Sequence, residues 1–388
     1  MHIVHFMSQV RLEVGGPARV LLDLCAALAD AGNRVTLATV DDADVPSAPN
    51  KSRAGGSFNV VKLPGPLHEN GRLSLGALRR MDGLLRETDV LHIHEVWSVG
   101  SVEIAAIARA RGVPYVLTAH GTLAPWAIQQ KWLKKSFFLM LFGRFLLGGA
   151  AAVHFGSRGE LLRAGPLLFG APSAVVPFVF DLSPYFAPAP PGVVEEALPE
   201  LSDPRPKVLF MGRVVATKGV ELLLRAASRA RRSGSSFLLI IAGPGKPEYI
   251  ASLRALAARL AVEDMVIFTG MVRGELKAGL FQRCDLFCLP TEHESFGVVI
   301  LEAMASGLPV ITTPDVPLWR ELEPGALTIL ERSVPAWADA MASLLADAPR
   351  RRRLGERGRD CVQKYMDARR VAAGYQAMYE GARRKARR

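Results

Sequence analysis

Short apolar runs alternate with longer amphipathic stretches along most of this chain of 388 residues. The short runs indicate buried strands, whereas apolar positions that recur every three to four residues indicate helices. In the first half, strands are predicted at 3–6, 34–40, 59–63, 90–93, 115–118 and 151–155. Helices are predicted there at 18–29, 75–86, 102–111 and 127–147. This order of strands and helices is typical of a parallel, doubly wound sheet.

The alternation breaks at a proline-rich stretch, 187–206, and then begins again. Prolines at this density interrupt helices and inner strands, so a linker is predicted. Beyond it, strands are predicted at 208–210, 237–242, 266–268, 286–289 and 310–312, and helices at 220–231, 250–260, 275–281 and 296–305. We therefore expect two α/β domains, 1–186 and 207–365, followed by a C-terminal helix with a basic tail at 366–388.

The chain is basic, with a net charge of +11 and a sequence pI near 9.8. This charge suits an acidic partner such as a nucleotide diphosphate, an anionic membrane or a nucleic acid. Much of the excess lies in 350–353 and 383–388. These runs are either a solvated helix face and a frayed end or segments attracted to a membrane surface. No nucleic-acid recognition motif or basic-aromatic stripe accompanies the charge, so no nucleic-acid partner is predicted.

Four cysteines give no pattern of a metal site or a disulfide framework. Cys284 and Cys288 have no second pair and no histidine doublet beside them, so zinc is not expected. Cys25 lies in an apolar run and is predicted to be a small core residue. The first residues lack the basic and apolar regions of a secretory signal, and the apolar run 137–147 is too short to span a bilayer. These features predict a cytoplasmic protein.

Two glutamates beside a predicted strand end form the strongest chemical pattern. Glu294 and Glu302 are separated by seven residues, and the strand ends just before Glu294. Open α/β sheets bind ligands at the carboxyl ends of their strands, and the first amides of a helix attract anions. We therefore expect an anionic ligand near the amides of Phe296, Gly297 and Val298. Two surface carboxylates on an ordinary helix are the alternative.

Two cations follow the first strand of the second half. Arg213 and Lys218 lie in G-R-V-V-A-T-K-G, at a strand-to-helix turn. A guanidinium offers a bidentate fork and an ammonium a point charge, so the pair can bind one diphosphate. A basic surface turn is the alternative reading of this segment.

Glycine turns and histidines follow other predicted strands. Gly15 and Gly16 follow the first strand, without the G-x-G-x-x-G of dinucleotide-binding proteins, and Gly243 follows strand 237–242. Glycine allows a ligand to approach the backbone closely, although ordinary loops are the alternative. His92 and His94 end strand 90–93. We expect them to point to opposite faces, so that they cannot share a metal, with His94 facing the crevice.

The string from Glu294 to Val310 strongly resembles the E-x7-E signature of retaining nucleotide-sugar glycosyltransferases of family 4. The element at 212–219 resembles the family's G-R-x4-K-G, with Thr217 where the family often has Glu. H-G-T-L-A-P-W-A, which begins at His120, resembles members that assemble bacterial polysaccharides. The resemblance implies the GT-B fold, in which two Rossmann-like domains face each other across a cleft. It also implies that the final helix, 368–380, crosses back onto the first domain.

The resemblance implies a role for each matching residue. Arg213 and Lys218 would hold the donor phosphates. Glu294 would accept hydrogen bonds from sugar hydroxyls, and Glu302 from both ribose hydroxyls. His120 would contact the transferred sugar, unless it is a structural histidine. Further contacts to donor or acceptor are implied at Gly15, Gly16, Gly243, Ser295, Phe296, Gly297 and Val298.

The resemblance implies a retaining transfer without a metal or any other cofactor, and no Asp-x-Asp motif is evident at a strand end. The acceptor would attack on the face that the leaving group departs from, and a donor phosphate oxygen would take the proton. The expected partners are a UDP- or GDP-linked sugar and a glycan or lipid-linked acceptor, in cell-surface polysaccharide or lipopolysaccharide biosynthesis. A GT-B epimerase or hydrolase, and a non-catalytic sugar-nucleotide-binding protein, remain the alternatives.

The stretch 126–147 combines lysines with large apolar residues. Such a helix lies in the surface of an anionic membrane or packs on a core with a basic outer face, and the sequence favours neither arrangement. The first arrangement predicts peripheral contact with the inner face of the membrane.

Overall fold

The computed structural model describes residues 1–11, 16–43, 45 and 57–386. Contacts within the chain divide it into two units. Unit 1 comprises Met1–Phe180 together with Met366–Arg388, and unit 2 comprises Asp181–Tyr365. Among the described residues, no helix is long and apolar enough to cross a membrane.

Unit 1 contains a parallel sheet of seven strands in the order β3-β2-β1-β4-β5-β6-β7. The strands are β1 His2–Phe6, β2 Arg34–Thr39, β3 Asn59–Lys62, β4 Val90–Ile93, β5 Tyr115–Thr118, β6 Ala152–Phe155 and β7 Ser173–Val175. The strand order reverses between β1 and β4, which is the position where doubly wound sheets open a crevice. The prediction of a parallel, doubly wound sheet is confirmed for this unit.

Helices cover both faces of this sheet because its strands are apolar on both faces. On β1, Val4 belongs to one buried cluster and Ile3 to another, as alternation along a strand requires. The second cluster includes Tyr375 and Tyr379, so the C-terminal helix lies in unit 1. The helices are α1 Gly16–Asp30, α2 Leu75–Leu85, α3 Val99–Ala110, α4 Pro125–Gln129, α5 Trp132–Phe138, α6 Arg144–Leu146, α7 Arg158–Ala164 and α16 Ala368–Ala386.

The helix predicted at 127–147 is not continuous, and this expectation was wrong. It is divided into α4, α5, a π-helical turn at Leu139–Gly143 and α6. Lys131 adopts a left-handed conformation with φ of 59°, which ends the helical path between α4 and α5. Amphipathic periodicity persists through such breaks, so the pattern alone does not reveal them.

Unit 2 contains a parallel sheet of six strands in the order β10-β9-β8-β11-β12-β13. The strands are β8 Lys207–Met211, β9 Leu238–Ala242, β10 Val266–Gly270, β11 Leu286–Leu289, β12 Val310–Thr312 and β13 Thr328–Ile329. The helices are α8 Ser183–Phe186, α9 Val193–Ala197, α10 Val220–Arg232, α11 Pro247–Arg259, α12 Gly274–Arg283, α13 Val298–Ala305, α14 Val334–Ala346 and α15 Ala348–Tyr365. The order reverses between β8 and β11 and repeats the Rossmann arrangement.

The proline-rich stretch 187–206 lies within unit 2. Gln282 on α12 fixes its start, because the Gln282 amide accepts from Ala189 N at 2.9 Å and donates to Ala187 O at 2.7 Å. A Cβ built on Gly279 of α12 would lie 2.7 Å from Val194 Cγ2. The stretch therefore packs on α12 and carries the short helix α9.

Candidate active site

Two loops meet at the point of unit 2 where the strand order reverses. One follows β8 and the other follows its neighbour β11. Glu292 N donates to Thr217 O at 2.8 Å, and Gly219 approaches so closely that a Cβ there would lie 2.3 Å from Pro290 O. With φ of 74°, Gly219 also occupies the left-handed region that glycine favours. The local backbone therefore brings the two predicted motifs together.

Lys218 and Glu294 form an ion pair across these loops. Lys218 Nζ lies 2.5 Å from Glu294 Oε2 and also donates to His293 O at 3.2 Å. The other carboxylate oxygen, Oε1, accepts from Ser295 N at 3.1 Å. The two side chains are only 12% and 19% exposed, so water screens the pair weakly. Two residues that sequence reasoning assigned to catalysis are thus in direct contact.

Arg213 lies on the same loop but takes no part in this pair. Its backbone is anchored by the next residue, Val214, whose N donates to Pro244 O at 2.7 Å. Its side chain is exposed and has no hydrogen bond or ion pair with another residue in the described part of the chain. Arg213 is therefore a cation whose donors remain available to an anionic ligand.

Glycine backbones meet where β8, β9 and β10 end. Gly243 has φ of 141°, and its N donates to Gly270 O at 2.7 Å. A Cβ on Gly243 would lie 1.8 Å from Gly212 O, which no side chain can tolerate. The predicted close approach at Gly243 is therefore an approach between two backbones of the protein itself.

Glu302 is held by two residues that sequence reasoning missed. Its Oε1 accepts from Lys277 Nζ at 2.6 Å and from the Tyr185 hydroxyl at 2.9 Å. The Lys277 ammonium also lies 5.6 Å from the centre of the Tyr185 ring. The Glu302 side chain is 10% exposed, so these contacts fix the orientation of a nearly buried carboxylate. Neither partner belongs to a motif, and no spacing signal connects them with Glu302.

The helix that carries Glu302 begins two residues later than predicted. Gly297 is its N-cap with φ of 98°, and α13 starts at Val298. Phe296 is buried and 4% exposed, so its side chain anchors the loop rather than facing a ligand. Ser295 N is engaged by Glu294, as described above. The helix start therefore presents the amides of Gly297 and Val298, which have no partner within the helix itself.

In unit 1, His120 follows β5 in a left-handed conformation with φ of 48°. Its ring stacks on Phe178 with centroids 5.2 Å apart and an interplanar angle of 24°, and the residue is 9% exposed. The next amide, Gly121 N, donates to Glu160 Oε1 at 2.6 Å, while Gly156 N donates to Glu160 Oε2 at 2.9 Å. Glu160, which sequence reasoning missed, thereby joins the loops that follow β5 and β6.

His120 belongs to a buried group of five histidines. His5, His92, Thr118 and His154 lie on one face of four adjacent strands, β1, β4, β5 and β6. The prediction that His92 and His94 point to opposite faces is wrong, because residues two apart on a strand share a face. Their rings lie 4.1 Å apart, and His94 is 3% exposed, so it is not open to a crevice.

Hydrogen bonds connect this group in two branches. In the first branch, His94 Nε2 lies 3.0 Å from His5 Nδ1. The other ring nitrogen, His94 Nδ1, lies 3.1 Å from His120 Nε2. His92 joins the Thr118 hydroxyl at 2.6 Å and the Tyr379 hydroxyl at 2.8 Å. The Thr118 hydroxyl then lies 2.8 Å from Nδ1 of the fifth histidine, His154.

Burial sets the charge of these groups. Desolvation lowers the pKa of His5 and His120 to about 3 and that of His154 to about 4, and it lowers the pKa of His92 and His94 well below the ordinary value. The histidines are therefore neutral near pH 7. Desolvation raises the pKa of Glu160 to about 7, against the effect of its two backbone donors.

Three of these histidines could also hold a metal ion. Ligand atoms of His5, His92 and His94 lie within 4.8 Å of one another, the one such set among the residues that the structure describes. This overturns the expectation that His92 and His94 could not act together. However, His5 Nδ1 and His94 Nε2 are hydrogen-bonded to each other, and both nitrogens of His92 have partners. An ion would have to displace these bonds.

The glycine turn of unit 1 is described only in part. Gly15 lies outside the described residues, and Gly16 is the first residue of α1. A Cβ on Gly16 would meet no atom of the described residues within 4 Å.

Two family models match the chain. The model described as "Glycosyl transferases group 1" matches residues 196–360, and "Glycosyl transferase 4-like domain" matches residues 15–179. D-inositol 3-phosphate glycosyltransferase of Nocardia farcinica is 35% identical over 167 residues, which cover 40% of this chain and 36% of that protein. A GDP-mannose-dependent alpha-(1-6)-phosphatidylinositol monomannoside mannosyltransferase of Mycobacterium tuberculosis is also 35% identical over 167 residues, 41% of this chain and 43% of the relative. The matched part thus spans less than half the length of these relatives.

The fold also matches solved structures along its whole length. Anabaena Alr3699/HepE, crystallised in complex with UDP and glucose, has a TM-score of 0.75 and 18% sequence identity. The match covers 97% of this chain and 98% of that chain. At this identity the likeness concerns the fold, and it confirms the predicted GT-B class.

Proposed function

Because the chain belongs to the family-4 type of glycosyltransferases, we propose that it transfers a sugar from a nucleoside diphosphate to a glycan or lipid-linked acceptor, with retention of configuration. The observation that carries this proposal is the Lys218–Glu294 pair beside the helix start at Gly297. A cation, a carboxylate and helix amides converge there at the edge of one sheet. This combination fits a sugar joined to a diphosphate.

The cations would stabilise the charge that grows on the leaving diphosphate, which is the largest catalytic term available to such a site. Lys218 has three N–H donors, of which Glu294 and His293 O occupy two. One donor therefore remains for a phosphate oxygen. Arg213 adds a free guanidinium fork. These fixed charges support a mechanism without a metal or other cofactor.

The carboxylates would orient the donor. Glu294 accepts hydrogen bonds from sugar hydroxyls, while Lys218 Nζ donates to its Oε2. Glu302, fixed through Oε1 by Lys277 and Tyr185, accepts hydrogen bonds from the ribose hydroxyls. Ser295 and Phe296 shape the loop between them, and Gly243 keeps the neighbouring turn close-packed. The acceptor attacks on the leaving-group side, and a donor phosphate oxygen takes its proton.

The donor would carry UDP or GDP. UDP is bound by the Anabaena protein, and the mycobacterial relative is described as GDP-mannose-dependent. A thermal-shift series with UDP, GDP, ADP and their sugar conjugates, with and without EDTA, separates these cases. Stabilisation by one nucleotide family, unchanged by EDTA, is expected. No shift with any nucleotide would count against a donor site in unit 2.

A transfer assay then tests the chemistry. With a responsive donor, we expect Lys218→Ala and Glu294→Ala each to lower kcat/KM by at least about 100-fold. Lys364→Ala removes a lysine of an exposed pair in the same unit and should stay within about twofold. The anomeric configuration of the product, read by NMR, tests retention. Near-normal turnover in both site variants would refute the site.

The same assay distinguishes the two alternative functions. A hydrolase or epimerase would consume the donor without an acceptor, releasing free sugar or a changed nucleotide sugar. A non-catalytic binding protein would show the thermal shift but no turnover with any acceptor fraction. The Lys218–Glu294 contact supports the transferase, because it holds a cation and a carboxylate together at the edge of one sheet.

We also place the enzyme in the cytoplasm, at the inner face of the membrane, in cell-surface polysaccharide or lipopolysaccharide assembly. An apolar surface around α5 supports this. Its large side chains are between 51% and 71% exposed: Trp132, Leu133, Phe137, Met140 and Leu141. Exposed cations surround them at Lys131, Lys134 and Arg144, and no acidic residue occurs between Glu103 and Glu160. An exposed apolar surface with these cations in the same segment fits an anionic lipid headgroup layer.

Vesicle flotation tests this surface. We expect salt-sensitive binding to vesicles containing phosphatidylglycerol and little binding to pure phosphatidylcholine. The double variant Trp132→Ser, Phe137→Ser should weaken binding by more than about tenfold. Leu162→Ser, at a side chain that is 71% exposed elsewhere in unit 1, should leave it unchanged. Equal binding of all three proteins would assign the surface to something other than lipid.

A further inference from the structure

Three histidines of unit 1 form a hydrogen-bonded line that ends at the candidate catalytic residue. We name His5, His94 and His120 the histidine row. Direct contacts between ring nitrogens join them, at 3.0 Å and 3.1 Å. His5 and His94 are buried, at 0% and 3% exposure, while His120 retains 9%. The row therefore runs from the core to the edge of the sheet.

The row can hold its protons in only two arrangements. A neutral imidazole has one N–H, and each bond in the row needs one donor and one acceptor. In the outward arrangement, His5 donates to His94, His94 donates to His120, and His120 carries its proton on Nδ1. In the inward arrangement every bond is reversed, and His120 Nδ1 is bare. The tautomers of the three rings are therefore coupled.

The inner end of the row decides between these arrangements. His5 Nε2 is buried and has no hydrogen-bond partner within the described part of the chain. In the outward arrangement this atom is an unused acceptor, whereas in the inward arrangement it is an unused donor. In protein main chains, buried N–H groups without a partner are rarer than unsatisfied carbonyl acceptors. The outward arrangement is therefore favoured.

We propose that His5 and His94 are positioning residues that hold His120 as its Nδ1–H tautomer, so that His120 donates a hydrogen bond to a donor or acceptor oxygen. This inference rests on the proposed function only for the identity of that oxygen. The Phe178 ring fixes the plane of His120, and Glu160 fixes the following amide. With Nε2 engaged by His94, Nδ1 is the nitrogen left to meet a ligand.

The tautomer selects the chemistry that His120 can perform. A neutral N–H donor suits a sugar hydroxyl oxygen or a phosphate oxygen. It cannot act as a general base, because its basic nitrogen faces His94. His120 would therefore hold and orient the sugar without accepting the proton of the acceptor hydroxyl, and the donor phosphate remains the group that takes this proton.

Nitrogen NMR of protein labelled at histidine measures the tautomer directly. At pH 7, without ligand, we expect His120 to show a protonated Nδ1 and an unprotonated Nε2. A protonated Nε2, or a doubly protonated ring, would overturn the proposal. Metal analysis of the same sample is a second decisive readout, since one equivalent of bound zinc at His5, His92 and His94 would replace the row by a metal site.

Variants of His94 test the consequence for turnover. His94→Asn keeps an amide N–H near the position of Nδ1 and should stay within about threefold of wild type. His94→Phe keeps the ring volume but removes the donor, and should lower kcat at least tenfold with little change in the KM for the donor. His154→Gln, in the same buried group but outside the row, is the control. Equal losses in all three variants would indicate a purely structural role.

The two readouts separate the failure of this proposal from failure of the proposed function. If no sugar transfer is found but NMR shows the Nδ1–H tautomer, the row is correct and the function is wrong. If transfer is found with the Nε2–H tautomer, the function stands and the row does not set the tautomer as inferred. Should His94→Phe fail to fold, the NMR result on the wild-type protein still decides.

Discussion

The two units place different chemistry at equivalent positions of similar sheets. In unit 2, opposite charges meet where the strand order reverses between β8 and β11, at Lys218 and Glu294. In unit 1, the order reverses between β1 and β4, and neutral histidines meet there, beginning with the neighbours His5 and His92. The same sheet topology thus supports an ion pair at the sheet edge in unit 2 and an uncharged, buried hydrogen-bond network in unit 1.

Burial explains the difference. The Lys218 and Glu294 side chains keep 12% and 19% of their surface and lie 2.5 Å apart, so each charge offsets the desolvation of the other. The histidines are nearly inaccessible, and ionising several of them side by side would add repulsion to desolvation. A charged phosphate ligand requires the first kind of site, whereas fixed orientation of a hydroxyl is compatible with the second.

Acidification should give the largest difference between the units. Between pH 6.5 and 4, unfolding allows His5, His120 and His154 to bind protons that the folded unit excludes. The stability of unit 1 should therefore fall as the pH falls, by on the order of 1 kcal/mol per pH unit for each histidine that the folded unit keeps neutral. Glu160 has the opposite sign, because its raised pKa makes stability fall as the pH rises from 4.5 to 7.

Hydrogen exchange at pH 7, 6 and 5 would measure this effect for each unit separately. Peptides from β4 and β5 should lose protection as the pH falls, with rates corrected for intrinsic exchange, whereas peptides from β8 and β9 should change little. His154→Gln should reduce the pH dependence of the stability of unit 1 by about the contribution of one histidine. Parallel loss of protection in both units would show that the histidine group does not determine acid stability.

Backbone contact in the turns of unit 2 should give the next largest effect. Gly243→Ala would place a Cβ 1.8 Å from Gly212 O at a φ of 141°, and we expect a loss of about 3–5 kcal/mol in the free energy of unfolding. Gly234→Ala is the matched control. Gly234 has φ of 85°, but a Cβ there would meet no atom of the described part of the chain within 4 Å, so only about 1 kcal/mol should be lost.

Urea unfolding of both glycine variants measures these costs, and nucleotide binding shows whether the turn also shapes the donor site. We expect Gly243→Ala to lose the thermal shift given by the donor and Gly234→Ala to keep it. If the two variants were equally stable, the close approach of the β8 and β9 loops would not be a feature of the folded protein in solution.

The ionic site was far more predictable from the sequence than the histidine network. Lys218 and Glu294 each lie in a contiguous motif beside a strand of strong apolar pattern, and neighbouring parallel strands bring such loops together. The histidines lie on four strands or just after them, and their proximity depends on the register that pairs His5 with His92. Single residues at separate strand ends leave no local pattern, so Glu160, Lys277 and Tyr185 were missed for the same reason.

The secondary structure shows a similar division. Strands 90–93, 115–118, 286–289 and 310–312 were predicted with their observed bounds because each is a continuous apolar run between breakers. The helix α14 was not predicted, and no bounds were predicted for α15. One reading of the arginines at 350–353 was a solvated helix face, and α15 includes them while it buries its opposite face through Gly355, Cys361 and Val362. A short buried face among many charges gives a weak sequence signal.

The smallest predicted effect concerns the support of Glu302. Lys277→Met leaves a carboxylate with 10% exposure without its cation, and should cost about 1–3 kcal/mol of stability while raising the donor KM about tenfold. Tyr185→Phe removes one hydrogen bond and should cost about 1 kcal/mol.

Arg283→Met is the control on the same helix, because Arg283 pairs with Glu195 at an exposed site and should change stability by less than about 0.5 kcal/mol. Urea unfolding and steady-state kinetics of the three variants test this ranking of stability losses and the predicted rise in donor KM. If Lys277→Met and Arg283→Met were alike in donor KM, Glu302 would not depend on its partners, and the ionic character of unit 2 would be confined to Lys218 and Glu294. A selective rise for Lys277→Met would instead show that two ion pairs on neighbouring elements act on one donor.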